Sequence, residues 1–207
     1  HKNRPINFLY PHETQTPSGG KSHYFSRDVL ELRLFKEGDN SPRFVVMITH
    51  LKSKLDADRV DIEGRKRREA ELKTLVNIYN EVKEELGAET PILIAGDLNG
   101  IARKDGMEPE FEYLHNESDL VDICEALEIE NENRVSQIQL TPTGKVNPIQ
   151  LDYIFTSSNM KERLLQEGSG TYFFKSELGQ KAALPKSMEE RELLPSDHYP
   201  IILNFKL

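Results

Sequence analysis

No apolar run in the 207-residue sequence approaches the ~20 residues that a bilayer-spanning helix needs, so no membrane segment is expected. Cysteine is nearly absent: Cys124 stands alone, which excludes any intrachain disulfide. Positive charge is short as well. Against 35 acidic residues stand 27 Lys and Arg, for a net charge of −8, so the chain as a whole is not an electrostatic trap for nucleic acid. A local basic patch can still sit beside an acidic metal site. No signal peptide, internal repeat, low-complexity tract or interdomain linker is visible, and no nucleophile-elbow pattern points to a serine hydrolase. The chain opens on His1 rather than Met, and the sequence is expected to start partway along a gene product. The length fits one domain.

What is present reads as strands separated by helices. Ile6-Asn7-Phe8-Leu9-Tyr10 reads as a short strand, followed by a flexible loop through Pro17-Ser18-Gly19-Gly20. Val29 to Leu34 alternates apolar and charged residues, and Gly38-Asp39-Asn40-Ser41-Pro42 turns the chain into the β-branched run Phe44 to Thr49. The pair is expected to be an antiparallel hairpin whose second strand is central. From about Ala57 to Leu86 the period becomes helical, with Leu72, Leu75, Val76, Tyr79, Val82 and Leu86 on one face and Gly87 as the stop. Arg65, Lys66, Arg67 and Arg68 are interleaved with Glu63, Glu69 and Glu71, so a solvated, ion-paired helix face is favoured over a nucleic-acid patch. A short helix capped by Ser118 or Asp119 is expected through Leu127, with Cys124 in the core. Residues 128–139 read as irregular, Thr141-Pro142-Thr143-Gly144 as a turn, Ile149 to Thr156 as a strand, and residues 157–192 as a long connection with one strand at Thr171 to Phe174. Tyr199 to Lys206 reads as the last strand.

The chemistry gathers where strands begin or end. Pro91-Ile92-Leu93-Ile94-Ala95 is a short buried strand that stops at Gly96, and Asp97 and Asn99 follow with one residue between them. In extended backbone both side chains point the same way, able to hold a metal-bound water and a polar oxygen; the plainer reading is an Asx turn closing a strand. His50 sits where a buried strand gives way to a polar loop. Asp152 lies inside the apolar run Leu151-Asp152-Tyr153-Ile154-Phe155, where an unpaired carboxylate would cost several kcal/mol, so it needs a partner. Ser196-Asp197-His198 stands at the entrance to the last strand. A carboxylate paired with histidine favours the imidazolium, which suits binding a phosphate.

Thr49-His50-Leu51-Lys52-Ser53, Gly96-Asp97-Leu98-Asn99, Leu151-Asp152-Tyr153-Ile154-Phe155 and Ser196-Asp197-His198-Tyr199-Pro200 resemble, in order, the signatures of the endonuclease/exonuclease/phosphatase (deoxyribonuclease I-like) superfamily. Tyr24-Phe25-Ser26-Arg27 resembles the segment that precedes an edge of its second sheet. The resemblance implies a four-layer α/β sandwich of two mostly antiparallel sheets flanked by helices, with the site at one end. It implies divalent-metal-dependent phosphoester hydrolysis by an activated water, nuclease-like in preference to a phosphatase. Carried over by motif, Asp97 would orient or deprotonate the water, Asn99 and His50 would contact phosphate oxygens, and His198 paired with Asp152 would contact the scissile phosphate. Asp197 with Asp97 would bind Mg²⁺ (or Mn²⁺ or Ca²⁺), and Arg27 could touch a phosphate or simply be a surface ion-pair residue. The family's earlier Asn and Glu motifs are not found before Tyr24. Residues 1–207 are therefore expected to be one domain lacking its N-terminal part, paired with that part or self-associated, and of little activity alone. The alternatives are a non-catalytic binding or structural module that keeps the fold, and a phosphomonoesterase acting on a small phosphorylated substrate.

Overall fold

The computed structural model describes residues 4–13, 23–57, 59–141 and 143–206. The loop expected at Pro17 to Gly20, and Pro142 of the expected turn, lie outside them. Among the described residues eleven strands run in chain order: β1 Pro5–Ile6, β2 His23–Tyr24, β3 Leu30–Leu34, β4 Phe44–His50, β5 Ile92–Asp97, β6 Val121–Asp122, β7 Gln137–Leu140, β8 Val146–Ile149, β9 Asp152–Thr156, β10 Leu164–Thr171 and β11 Ile201–Phe205. The α-helices are α1 Arg65–Leu86, α2 Glu112–Asn116, α3 Ile123–Ala126 and α4 Met188–Glu192.

The organising unit is a five-stranded mixed sheet of order β3-β4-β5-β9-β6. The expected hairpin is its first pair, β3 with β4. Strands β4 and β5 run parallel, and α1 supplies the crossover that parallel neighbours require. Strand β9 then pairs antiparallel with β5. Because side chains alternate across a strand, Val45, Met47, Ile92, Ile94, Tyr153 and Phe155 share one face and are buried in a single core with Leu72, Leu75, Val76, Tyr79 and Val82 of α1.

The opposite face is covered unevenly. The antiparallel ladder β10–β11 crosses it, and Phe205 of β11 meets Phe44 edge-on with ring centroids 5.4 Å apart. Leu93 on this face is buried, whereas Leu30, Leu32, Leu34 and Ile48 remain open to solvent at 40–44% exposure. Mixed and antiparallel sheets with helices outside make this an α/β sandwich.

Several local readings need correction. The long helix starts at Arg65 rather than near Ala57. Gly64 takes φ +60, and a Cβ there would lie 2.5 Å from the Ser53 carbonyl oxygen, so the chain turns sharply before the helix begins. Asp61 caps that first turn, accepting the N–H groups of Lys66 and Arg67 at 3.0 Å each. Its basic start is only partly solvated, since Arg68 is buried against Glu110. Ser118 and Asp119 do not cap the later helix. Val121–Asp122 is strand, and the Asp122 carboxylate caps the shorter α3 through the Cys124 N–H. The polar stretch before Leu140 ends in β7, which pairs with β8. The connection after Thr156 contains the eight-residue β10, whose irregular register falls between Leu165 and Gly170. Cys124 is buried as expected, and burial pushes its thiol up to about 12.

Candidate active site

Strand register builds the centre of the site. His50 is the last residue of β4 and lies opposite Asp97 of β5, while Asp97 lies opposite Asp152 of β9. The three side chains therefore form a row across three strands, on the face away from α1. Gly96 makes the row possible: a Cβ there would lie 1.8 Å from the Thr49 carbonyl oxygen, so any other residue would force β4 and β5 apart.

His198 arrives from a different direction. It forms a single bridge with Gln137 at the start of β7, and its Nδ1 lies 2.8 Å from Asp152 Oδ2. Segment 136–138 aligns the pair. The Ser136 hydroxyl accepts the N–H groups of Leu151 and Asp152 at 2.9 and 2.8 Å, and the Ser136 carbonyl accepts that of Tyr199 at 2.8 Å. The Gln137 amide sits 2.8 Å from His198 Nε2 and can donate to the neutral ring or, turned over, accept from the imidazolium. Sequence reading missed Ser136 and Gln137, which lie in a stretch with no periodic signal.

These neighbours push the pKa values of the two histidines in opposite directions. The hydrogen bond to Asp152 raises the His198 pKa above 6.5. His50 Nε2 lies 3.4 Å from Asp97 Oδ2, yet burial outweighs that carboxylate, and with help from the Arg27 charge it lowers the His50 pKa below 6.5. Asp97 is pushed upward by burial and by the like charge of Asp152, against the Asn99 N–H that its Oδ1 accepts at 2.8 Å. That last bond closes the Asx turn, with Asn99 at φ 54. The turn and the shared site are thus both present.

The seven expected residues divide between the group and its surroundings. His50, Asp97, Asp152 and His198 come together. Asn99 lies beside them, but its amide Nδ2 donates to the Leu51 carbonyl at 3.0 Å, and the residue is 9% exposed. Asp197 lies outside the group, its Oδ2 held by Arg191 Nη2 at 2.6 Å. Arg27 is exposed and near enough to act on His50 electrostatically.

Asp97, Asp152 and His198 each bring a ligand atom within 4.8 Å of the others. Because Asp152 Oδ2 and His198 Nδ1 already bond each other, the donors are chiefly carboxylate oxygens, the chemistry of a hard divalent ion that keeps several waters. A cation would also relieve the repulsion that raises the Asp97 pKa. The residues present fit such an ion. Below the row, on the same sheet face, a cavity of about 410 Å³ is floored by Ala95 and Ile154 and walled by Phe174, Pro195 and Ile201, with Asp152 and His198 at its rim.

No protein-family model matches the chain, and no curated protein matches it in sequence. Solved structures do match in three dimensions. A crystal structure of beta toxin 275-280 from Staphylococcus aureus is 22% identical with a TM-score of 0.53, over 87% of this chain and 57% of that one. D. rerio TDP2 complexed with single strand DNA product is 16% identical at TM-score 0.51, over 84% and 59%. A humanized D. rerio TDP2 is 16% identical at TM-score 0.52, over 100% and 67%. The chain shares the fold of these structures. It spans 57% and 59% of the first two of those structures. Within that fold the four strand-end motifs occupy one end of the sandwich, where the sheet row and the His198 segment meet.

Proposed function

We propose that the chain carries the catalytic face of a phosphoesterase that hydrolyses phosphodiesters with an activated water. The observation that supports this best is the convergence of His50, Asp97 and Asp152 in one sheet row, with His198 bonded to Asp152 from another segment. Asp97, at the middle of the row between His50 and Asp152, takes a proton from the attacking water. His198, whose proton affinity Asp152 raises through Nδ1, gives its Nε2–H to a phosphate oxygen that takes the place of the Gln137 amide as negative charge builds on it. His50, whose pKa burial lowers, donates a ring N–H to a second phosphate oxygen, and Arg27 adds charge at the open edge. Asn99 acts chiefly by holding the loop that follows His50, through the Leu51 carbonyl.

Asp97 and Asp152 would hold a divalent ion, Mg²⁺ or Mn²⁺ before Ca²⁺, which when bound supplies neutralising charge at the phosphate. Diester substrates, nucleic acid among them, are preferred to monoesters. The fold is shared with a TDP2 structure that holds a single strand DNA product, and the row opens along a sheet face rather than into a closed pocket.

The test is hydrolysis of bis(p-nitrophenyl) phosphate with added Mg²⁺, with the p-nitrophenyl monoester and a single-stranded oligonucleotide as further arms. Diester turnover should depend on the ion and fall by at least about 100-fold in Asp97→Ala and His198→Ala, with little change in melting temperature. Lys66→Ala, on the exposed start of α1, should leave the rate unchanged. Wild-type turnover in Asp97→Ala would overturn the reading.

A further inference from the structure

Helix α1 carries a fully buried carboxylate that the fold does not need for its core. Glu71 is 0% exposed, between the core residues Arg68 and Leu72, at a position where an apolar side chain would pack at no desolvation cost. Its two oxygens reach away from the helix to two separate loops. Oε1 accepts the Ser26 N–H and Oε2 the Lys52 N–H, both at 2.7 Å, and Arg67 Nε adds a contact to Oε1 at 3.3 Å. These are the backbones on which the outer part of the site hangs, since Ser26 precedes Arg27 and Lys52 follows His50 by two residues.

Arg68, one turn earlier on the helix, completes the grip. Arg68, 1% exposed, donates from Nη1 to the Lys52 carbonyl at 3.1 Å and to the Glu63 carbonyl at 2.9 Å, while its Nη2 pairs with buried Glu110. Both peptide groups of Lys52 are therefore held by consecutive turns of charge on one helix. Leu51 is locked on its other side: its N–H donates to the Asp97 carbonyl, and its carbonyl accepts the Asn99 amide, each at 3.0 Å. A continuous path of hydrogen bonds runs from Glu71 through Lys52 and Leu51 to Asn99 and the Asp97 backbone.

We infer that Glu71 is a positioning residue of the site, fixing the separation of Arg27 from His50 and the height of the Leu51 carbonyl beneath Asn99. The inference rests on the phosphoesterase reading for its consequence in turnover, while its geometric content stands apart from it. A network that merely stitched loops to a helix would set melting temperature and nothing else. A positioning network sets how well the groups fit the transition state, so its loss appears in kcat with KM unchanged.

The test compares Glu71→Gln, which keeps the volume but turns an NH₂ toward a backbone donor, with Leu75→Ala one turn along the same helix, which removes only core contact. Glu71→Asp, too short to reach both loops, is the second variant. At a temperature where all are folded, Glu71→Gln and Glu71→Asp should lose about tenfold in kcat on bis(p-nitrophenyl) phosphate at constant KM, and the ring ¹⁵N signals of His50 should move. Leu75→Ala should melt lower yet keep both kcat and the His50 signals. Glu71→Gln with unaltered kcat and unaltered His50 signals would overturn the inference. So would Ser26 and Lys52 amides that exchange with solvent, in the unmutated protein, as fast as the exposed Asp105. Absence of turnover in the unmutated full-length gene product would sink the phosphoesterase reading instead, and the His50 signals and amide exchange would still decide the role of Glu71.

Discussion

Asp152→Asn isolates one quantity, the charge behind His198. The substitution is isosteric, and the bond from the Asp152 N–H to Ser136 belongs to the backbone and stays. His198 Nδ1–H can still donate to the amide oxygen, so the ring keeps its place. What disappears is the anion 2.8 Å away, which is the largest cause of the raised His198 pKa. A hydrogen bond to a charged group contributes about 1.5–3 kcal/mol, and with side chains 32% and 23% exposed the lower half of that range applies. At 1.36 kcal/mol per decade, kcat should fall about 13- to 45-fold with KM little changed. NMR titration of the ring without added divalent ion provides the second readout. His198 should titrate above 6.5 in the unmutated protein and lower in the variant, where burial is opposed only by the weaker pull of Asp97 and Asp197. The sign for stability follows. A histidine with a raised folded pKa contributes stability that is complete below the unfolded pKa and lost as pH rises through the folded one. The unmutated protein should therefore lose this increment above neutral pH, and the variant should not show it. An unchanged His198 pKa together with unchanged kcat would refute the argument.

Two further outcomes concern stability. Asp122 is buried with Oδ2 unpartnered, and burial raises its carboxyl from 3.8 to about 6, so this group's contribution is most favourable below its unfolded pKa and declines as pH rises toward about 6. That gap corresponds to as much as about 3 kcal/mol, so Asp122→Asn, which keeps the cap on Cys124, should raise the unfolding free energy at pH 7 by about 1–3 kcal/mol in urea melts; a loss of 2 kcal/mol or more would contradict it. Leu75→Ala should cost about 2–5 kcal/mol and Leu32→Ala less than about 1 kcal/mol, because Leu75 is 1% exposed and Leu32 42%; equal costs would place the core on the wrong sheet face.

The row at the strand ends was legible because strand periodicity is short and strict. An apolar run that stops at a polar residue marks both a boundary and a face, and His50 and Asp97 each stand at such a stop, while Asp152 is the polar residue that opens β9. The need of Asp152 for a partner followed from the cost of a lone buried carboxylate, and His198 meets it. Strand β10 was not legible. Its sequence Leu-Leu-Gln-Glu-Gly-Ser-Gly-Thr has no alternation, and Gly168 and Gly170 at φ +74 and +119 serve an irregularity that only pairing with β11 reveals. Asp197 was placed by its neighbour in sequence, whereas Arg191, on the turn of helix just before it, sets where its carboxylate goes.

The Glu71 network shows a more general limit. Helical periodicity sorts residues into an inner apolar face and an outer polar one, so a run such as Arg67-Arg68-Glu69-Ala70-Glu71 reads as solvated charge. Burial of Arg68 and Glu71 becomes visible only when the loops after β4 and before β3 are laid over the start of α1. Those loops are where the site's groups leave the sheet. Their peptide N–H and C=O groups have no ladder partner there and, once buried, must find another. Side chains of the crossover helix are the nearest donors and acceptors, since the same helix already covers the core face of β4 and β5. A parallel strand pair that ends in a catalytic loop thus calls for charged residues on the buried start of its crossover helix, and their presence among the apolar positions of α1 is a consequence of where the chemistry sits.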